Sequence, residues 1–507
     1  MPHLFLRRCI ASLTLLSFVG FGFQLAYAGS ATWDATPTNG LWSNANNWTP
    51  TTIPSATSDT ATFGVSSTTS IEQALLSVGS IVFAPGASPY IITPLAPAQY
   101  TMAGTGIVNN SGILQKFTIP ADQGPQNALA LASNATAGTM TEYTVQGGPD
   151  AATLGALMTL DDTATADTAS FIINGGTGSG GHGGTIQFVG QSTAATAMIT
   201  NNAGSVAGAQ GATTAFAESA GAATSTLVAN GGAGSGGTIS FADSSHGDSA
   251  SVKLFGNGSL DISAHDSSGM TLGSLEGNGQ VHLGARRLTV GRNRVSTTFS
   301  GLLQDGGNNG GTGGAFAKVG AGTLTLTNAN TYTGDTSVNG GSFTVTNSTG
   351  SATGTGPVQV NAGILGGSGT IAGAVTVGAP TEDRPHLAPA SGGQTPTTLT
   401  IEGSLTFTNT GGYNWVLRAK GRRAQADRVN ANGVVIVSGA TFTILPQVHG
   451  AMQIGTVLTV ISNTATTPIS GTFSNLADGA IINVSGNNLQ ADYQGGDGND
   501  LTLSVVP

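Results

Sequence analysis

Gly183-Gly184-Thr185-Ile186-Gln187-Phe188 returns as Gly236-Gly237-Thr238-Ile239-Ser240-Phe241, and this echo decides the fold. Ahead of each copy runs a short strand-like stretch ending in Asn-Gly-Gly, at Ile173-Asn174-Gly175-Gly176 and Ala229-Asn230-Gly231-Gly232. A looser copy lies between them, with Met198-Ile199-Thr200-Asn201 followed by Ala212-Thr213-Thr214-Ala215-Phe216. A fourth runs from Val252-Lys253-Leu254-Phe255 to Leu260-Asp261-Ile262. The anchors Asn174, Asn201, Asn230 and Asn257 fall at a nearly constant interval. Two short strands and glycine turns at such a period predict a stacked solenoid. One repeat cannot bury its own apolar face, so coils must stack to make a core.

Outward from this centre the same grammar continues. Val338-Asn339-Gly340-Gly341-Ser342-Phe343-Thr344-Val345 and Val358-Gln359-Val360-Asn361-Ala362-Gly363 are β-branched runs that break at Gly or Asn. No stretch beyond Ala28 keeps a helical period. The expected organisation is a signal peptide over 1–28, an N-terminal cap over 29–125, Gly/Ala/Thr-rich coils over 126–300, tighter coils over 301–410 and a closing β segment over 411–507. Trp33, Trp42 and Trp48 crowd the cap segment. Aromatics there suit a lid over the first open sheet edge, with a sugar-stacking patch as the rival reading. Pro380, Pro385, Pro389 and Pro396 predict a loop bulging from one coil, since proline cannot sit in a central ladder.

Arg7-Arg8, an apolar run from Ile10 to Leu25 and Ala26-Tyr27-Ala28 fit a signal peptide cleaved after Ala28. The apolar run is short for a membrane span of about 20 residues, so no transmembrane segment is expected in the mature chain. Cys9 is the single cysteine, so the processed chain would hold no disulfide and no thiolate site. Setting aside Arg7 and Arg8 leaves 13 basic against 25 acidic side chains, a net charge of −12. No basic footprint of the kind that nucleic-acid binding requires is present at that scale.

Lys318-Val319-Gly320-Ala321-Gly322-Thr323-Leu324-Thr325-Leu326, then Asn328-Ala329-Asn330-Thr331-Tyr332-Thr333-Gly334-Asp335-Thr336, resembles the autotransporter-associated β-strand repeat family. Gly340-Gly341-Ser342-Phe343 fits the strand that follows. Ile364 to Ile371 resembles the next coil, and Leu387-Ala388-Pro389-Ala390-Ser391-Gly392 with Thr398-Leu399-Thr400-Ile401 resembles the family's proline loop and strand. Ile469-Ser470-Gly471-Thr472-Phe473 and Tyr493 to Asp500 extend the likeness. The resemblance implies a right-handed parallel β-helix at the cell surface or beyond, and it implies no catalytic residues. Autotransporters end in a membrane β-barrel with alternating apolar residues. Leu503-Ser504-Val505-Val506-Pro507 does not carry that pattern, so a passenger-type region lacking the barrel is expected.

Several motifs invite chemistry, and each has a plainer reading. Gly495-Gly496-Asp497-Gly498-Asn499-Asp500 looks like half a calcium nonapeptide, but calcium needs several oxygen ligands and one copy predicts a tight turn. Gly176 to Gly181 and Gly232 to Gly237 both match Gly-x-Gly-x-x-Gly, yet no helix follows to make a dinucleotide site. His265-Asp266 lies near Asp261, and His182, His246, His282, His386 and His449 are scattered singly. Arg286-Arg287 with Arg292 and Arg294 could serve a polysaccharide lyase only beside clustered carboxylates, which the spacing does not show. Arg418-Ala419-Lys420-Gly421-Arg422-Arg423 reads as a solvated connecting loop, with an exposed protease site or contact with acidic envelope glycans as alternatives. No catalytic, cofactor-binding or metal site is assigned, and no cofactor is expected. The expected function is an exported, non-enzymatic, structural or adhesin-like surface protein. Its long polar face would meet envelope glycans or other surface proteins. A β-helical polysaccharide-active enzyme is the alternative.

Overall fold

A computed structural model describes residues 29–507 except 75–76, 96–98, 123–127, 267–268, 380–383, 391–392 and 394. The expected signal peptide, Cys9, Pro380 and Ser391-Gly392 lie outside the described residues. The chain forms an all-β solenoid of about 15 stacked parallel coils. At about 4.8 Å per coil the rod is about 70 Å long.

The quoted phrase is one rung of a column of parallel strands. Thr185–Phe188 lies in register between Leu157–Leu160 and Thr213–Phe216, and Thr238–Phe241 comes next. A second column holds Ser170–Ile173, Met198–Asn201, Thr226–Ala229 and Ser251–Leu254. Between the two, each coil turns a third side. There the contact is a single bridge, passing from Thr136 through Thr165, Thr193 and Gly221 to His246. Further on this side widens into Gly269–Leu272, Arg287–Val290 and Ala315–Lys318. Thr336–Val345 and Val358–Gly367 then run along two sides as single bent strands, with a register shift at the corner near Asn339.

Alternation places the core. In Thr185–Phe188 the even residues Ile186 and Phe188 are buried and the odd ones, Thr185 and Gln187, are half-buried. Because coils stack in register, like residues meet. Phe188, Phe216 and Phe241 stack with ring centroids 4.7 Å apart. Phe117, Tyr143 and Phe171 do the same at 4.9 and 5.0 Å. Each such pair contributes about 0.5–1.5 kcal/mol beyond its burial. The narrow third side is filled by alanines, among them Ala164, Ala166, Ala194, Ala197, Ala220 and Ala222, all fully buried.

The repeated Gly-Gly has a separate cause. Gly155, Gly183, Gly211 and Gly236 form a column in which a Cβ would collide with the carbonyl group of the residue one coil on. In the Gly-x-Gly-x-x-Gly stretches a Cβ on Gly178 would meet the Pro149 carbonyl and one on Gly236 the Asn257 carbonyl, each a coil away. At another corner the φ angles of Asp162, Glu218 and Asp243 are positive, at 55, 56 and 52°. Their carboxylates accept from the amides of Ser133 (3.0 Å), Gly190 (2.9 Å) and Glu218 (3.1 Å) in the coil before. These acidic side chains staple coil to coil.

The anchor register needs one correction. Asn202, not Asn201, is the equivalent of Asn174 and Asn230. Asn202 donates to Asn174 at 3.0 Å, and Asn230 to Asn202 at 3.0 Å. Asn201 instead points inward between Ile173 and Ala229 and is fully buried. It meets buried Thr214, whose hydroxyl donates to Asn201 Oδ1 at 2.8 Å. Asn257 also leaves the ladder, and its side chain holds Gly232 N (2.9 Å) and Gly234 O (2.8 Å). Side-chain direction inverts with a one-residue slip, and a repeat with two adjacent asparagines conceals that slip.

The N-terminal end is closed by aromatics. Trp33, Trp42, Trp48 and Phe63 pack edge-on and tilted, with centroids 4.8–6.0 Å apart. The three indoles are at most 1% exposed, and each N–H donates to a backbone carbonyl. The sugar-stacking reading of these residues is overturned, since no ring face reaches solvent. At the far end Val457–Asn463 continues the stack and then pairs antiparallel with Asp500–Val506. Asn487–Gly495 and Ile481–Val484 complete that meander. Gly495 to Asp500 is the turn between its last two strands. Among the described residues no helix is long and apolar enough to cross a membrane.

Candidate functional site

The amide ladder lies where the second column hands over to the glycine-rich loops. Gln146 accepts from Asn174, Asn174 from Asn202 and Asn202 from Asn230, each at 3.0 Å. All four are half-buried, so one edge of each amide faces water. The next rung is Phe255, whose amide N bonds Ala229 O. Phe255 is 42% exposed, unlike the stacked phenylalanines of the core. It separates two shallow open depressions. One, of about 510 Å³, has Asn202, Asn230, Gly231 and Gly232 on its wall. The other, of about 390 Å³, has Glu276, Thr298, Thr323 and Thr325. An aromatic face flanked by amides and hydroxyls can stack on an apolar ring face while bonding the hydroxyls around it. Sequence reasoning missed Phe255. The available signal was an aromatic at the rung position that Asn230 occupies one coil earlier.

The residues singled out for chemistry are engaged separately. Asp261 accepts from the N and Oγ of Ser263 (2.8 and 2.6 Å) and from Asn308 N (2.8 Å), which pins the loop after Gln304. His265 is 3% exposed, with Nε2 2.9 Å from Ser245 O. Asp266 accepts from Ser244 Oγ at 3.0 Å. Arg287 grips both oxygens of Asp335 at 2.8 and 2.9 Å, a carboxylate partner the spacing did not reveal. Arg292 shares a depression of about 340 Å³ with His246, Asp248 and His265. Among the described residues, no three His, Cys, Asp or Glu side chains group closely enough to hold a metal ion.

Two buried ionisable groups act as fasteners. Lys318 is 1% exposed, and its Nζ donates to Val319 O (2.8 Å), Gly320 O (3.0 Å) and Gly340 O (3.1 Å). Gly340 belongs to the next coil, so one ammonium ties two turns. Burial pushes the Lys318 ammonium down to about 8. Asp427 is fully buried and accepts from Thr397 N (2.8 Å) and Val416 N (3.1 Å). Burial raises its carboxyl, and those amides work the other way.

The Arg418-to-Arg423 stretch is not a loop. Gly412–Lys420 and Arg423–Ala426 pair antiparallel as a hairpin, with Leu417 opposite Ala426 and Lys420 opposite Arg423. The strand Thr441–His449 lies parallel on the other side of Gly412–Lys420. The cations alternate with buried Leu417 and Ala419, so the segment satisfies a strand's period despite its charge.

This architecture defines a β-solenoid whose long sides face solvent. Within it, residues 316–345 match the passenger-associated transport repeat. The match takes in Lys318, Thr323–Leu326 and Gly340-Gly341-Ser342-Phe343 at the bend of the strand Thr336–Val345, all among the stretches that carried the family resemblance. A passenger-type repeat inside a β-solenoid is consistent with an autotransporter passenger domain, and the repeat suggests an exported or surface protein. A search of curated proteins returns no match.

Proposed function

We propose that the chain is exported by a signal peptide cleaved after Ala28 and works outside the cell or at its surface. There it serves as a non-enzymatic, structural or adhesin-like rod. It would contact glycans or other surface proteins weakly at many places along one side, and repeated sites on one rigid body raise avidity without any strong single contact. The observation that carries this reading is the Asn174–Asn202–Asn230 ladder running into exposed Phe255 between two open depressions. The depression beside His246, Asp248, His265 and Arg292 favours the second reading, a polysaccharide-active enzyme. A glycan array paired with a polysaccharide depolymerisation assay tests both. Array binding without product supports the rod, and reproducible release of oligosaccharides rejects it.

A further inference from the structure

The flange at the C-terminal third, the hairpin Gly412–Lys420/Arg423–Ala426 with Thr441–His449, carries a concentration of cations without an ion-pair partner among the described residues. In register, Arg418 faces Gln425 and Gln447, and Lys420 faces Arg423 and His449. Side chains that pair across strands share one face. Arg418, Lys420, Arg423, Gln425 and His449 are exposed, whereas Leu417 and Ala419 lie on the opposite, buried face. Arg422 stands at the exposed tip beside Gly421. The sequences of the three strands contain no Asp or Glu. None of the three ion pairs among the described residues involves these cations.

The contrast with the rest of the chain gives this face its meaning. Without the segment up to Ala28 the chain has a net charge of −12, and four of its 13 basic side chains sit here. Elsewhere Lys116, Lys253 and Arg287 are neutralised by Glu142, Glu276 and Asp335. Holding like charges together on a rigid sheet costs free energy, so a cluster without a carboxylate partner among the described residues favours an external anion. Successive outward residues on a strand lie about 6.8 Å apart and neighbouring strands about 4.8 Å apart. The result is a flat grid of cations with amides between them. Leu445 is the one large apolar side chain exposed on the same side. Membrane seating relies on a buried apolar stripe, which this face lacks.

We propose that this flange is a docking face for an acidic polysaccharide. Arg418, Lys420, Arg422 and Arg423 would meet its carboxylates, and Gln425 its hydroxyls. The proposal deepens the surface-protein reading above by naming one ligand class and a site separate from Phe255. Contact is electrostatic and therefore sensitive to salt.

The test uses the full mature chain on immobilised polygalacturonate, with neutral dextran as control. Vesicles of equal phosphatidylglycerol and phosphatidylcholine form a further arm. Polygalacturonate should retain the protein, and retention should fall roughly tenfold or more between about 50 and 200 mM salt. R418Q/K420Q/R422Q/R423Q should lose at least tenfold in affinity with an unchanged melting temperature, because all four side chains are exposed. R418K/R422K/R423K should bind as the parent does. Undiminished binding by the glutamine variant, equal retention on dextran, or binding to vesicles alone would each overturn the assignment. Phe255→Ala should leave polygalacturonate binding intact, so failure here and failure of the lateral-face reading are told apart.

Discussion

Replacing Thr214 by Val deletes one hydroxyl from the interior at nearly constant volume. Asn201 Oδ1 then loses the donor 2.8 Å away, in a site where both residues are fully buried. An acceptor stranded in a dry core costs about 1–3 kcal/mol, and about 2 kcal/mol is expected here. Asn201→Ala should cost more, about 3 kcal/mol, because it strands the Thr214 hydroxyl and also opens a small cavity. The double variant N201L/T214V leaves nothing unpaired, so most of the loss should return. Global unfolding is a poor readout, since stacked repeats need not melt as one unit. Hydrogen exchange over Met198–Asn201 and Thr213–Phe216 reads the local opening instead. About 2 kcal/mol corresponds to roughly 30-fold faster exchange. If the double variant opens as readily as the sum of the two singles, the pair is not coupled and the reasoning is wrong.

Three further outcomes are expected. Lys318 is depressed to about 8 in the fold, against about 10.4 in an unfolded chain. Between those values the unfolded state holds the extra proton, so stability should rise with pH, by at most about 3 kcal/mol. The buried phenols of Tyr90 and Tyr493, pushed up to about 12 against about 10 in an unfolded chain, work the other way from about pH 9 upward, and Lys318→Met carries them unchanged. The difference in stability between the parent and Lys318→Met should therefore shift in the parent's favour by about 1 kcal/mol between about pH 7.5 and 9, read by hydrogen exchange over Thr336–Val345 against the intrinsic rate at each pH; a difference independent of pH would refute it. Gly211→Ala drives a methyl against the Gly236 carbonyl and should cost about 1–3 kcal/mol, read as faster exchange in the flanking coils. Phe255→Ala removes the exposed ring and should weaken binding of a neutral glycan found on an array roughly tenfold, and unchanged binding would remove Phe255 from the site.

Much of the solenoid was legible because in-register stacking forces like onto like. The Phe188–Phe216–Phe241 column and the glycine column leave the same letters at the same period. The Trp33/Trp42/Trp48 lid was readable for a related reason, as apolar mass concentrated at one end. The third side was harder to see. Its early coils touch through single bridges at Thr165 and Thr193, too short for a strand pattern, and its alanines look like filler. The flange was misread because cations dominate Arg418 to Arg423, although Leu417 and Ala419 alternate with them and Ala424 pairs opposite Ala419 across the turn. Phe255 escaped notice since exposure depends on which neighbour stacks above a residue, and Asn257 stood nearby as a false anchor. Asp335, partner of Arg287, lies 48 residues away in the chain, and no local spacing announces it.

Most of each turn's packing is with the turns before and after it, as Ile186 on one coil lies opposite Thr214 on the next, while side chains such as Arg287 reach one turn further. Duplicating one such unit in the gene would add a storey without disturbing either end of the building. The aromatic lid and the closing meander would be carried unchanged at a greater separation. The length of the rod is then a quantity evolution can adjust by copying alone, one sheet spacing at a time.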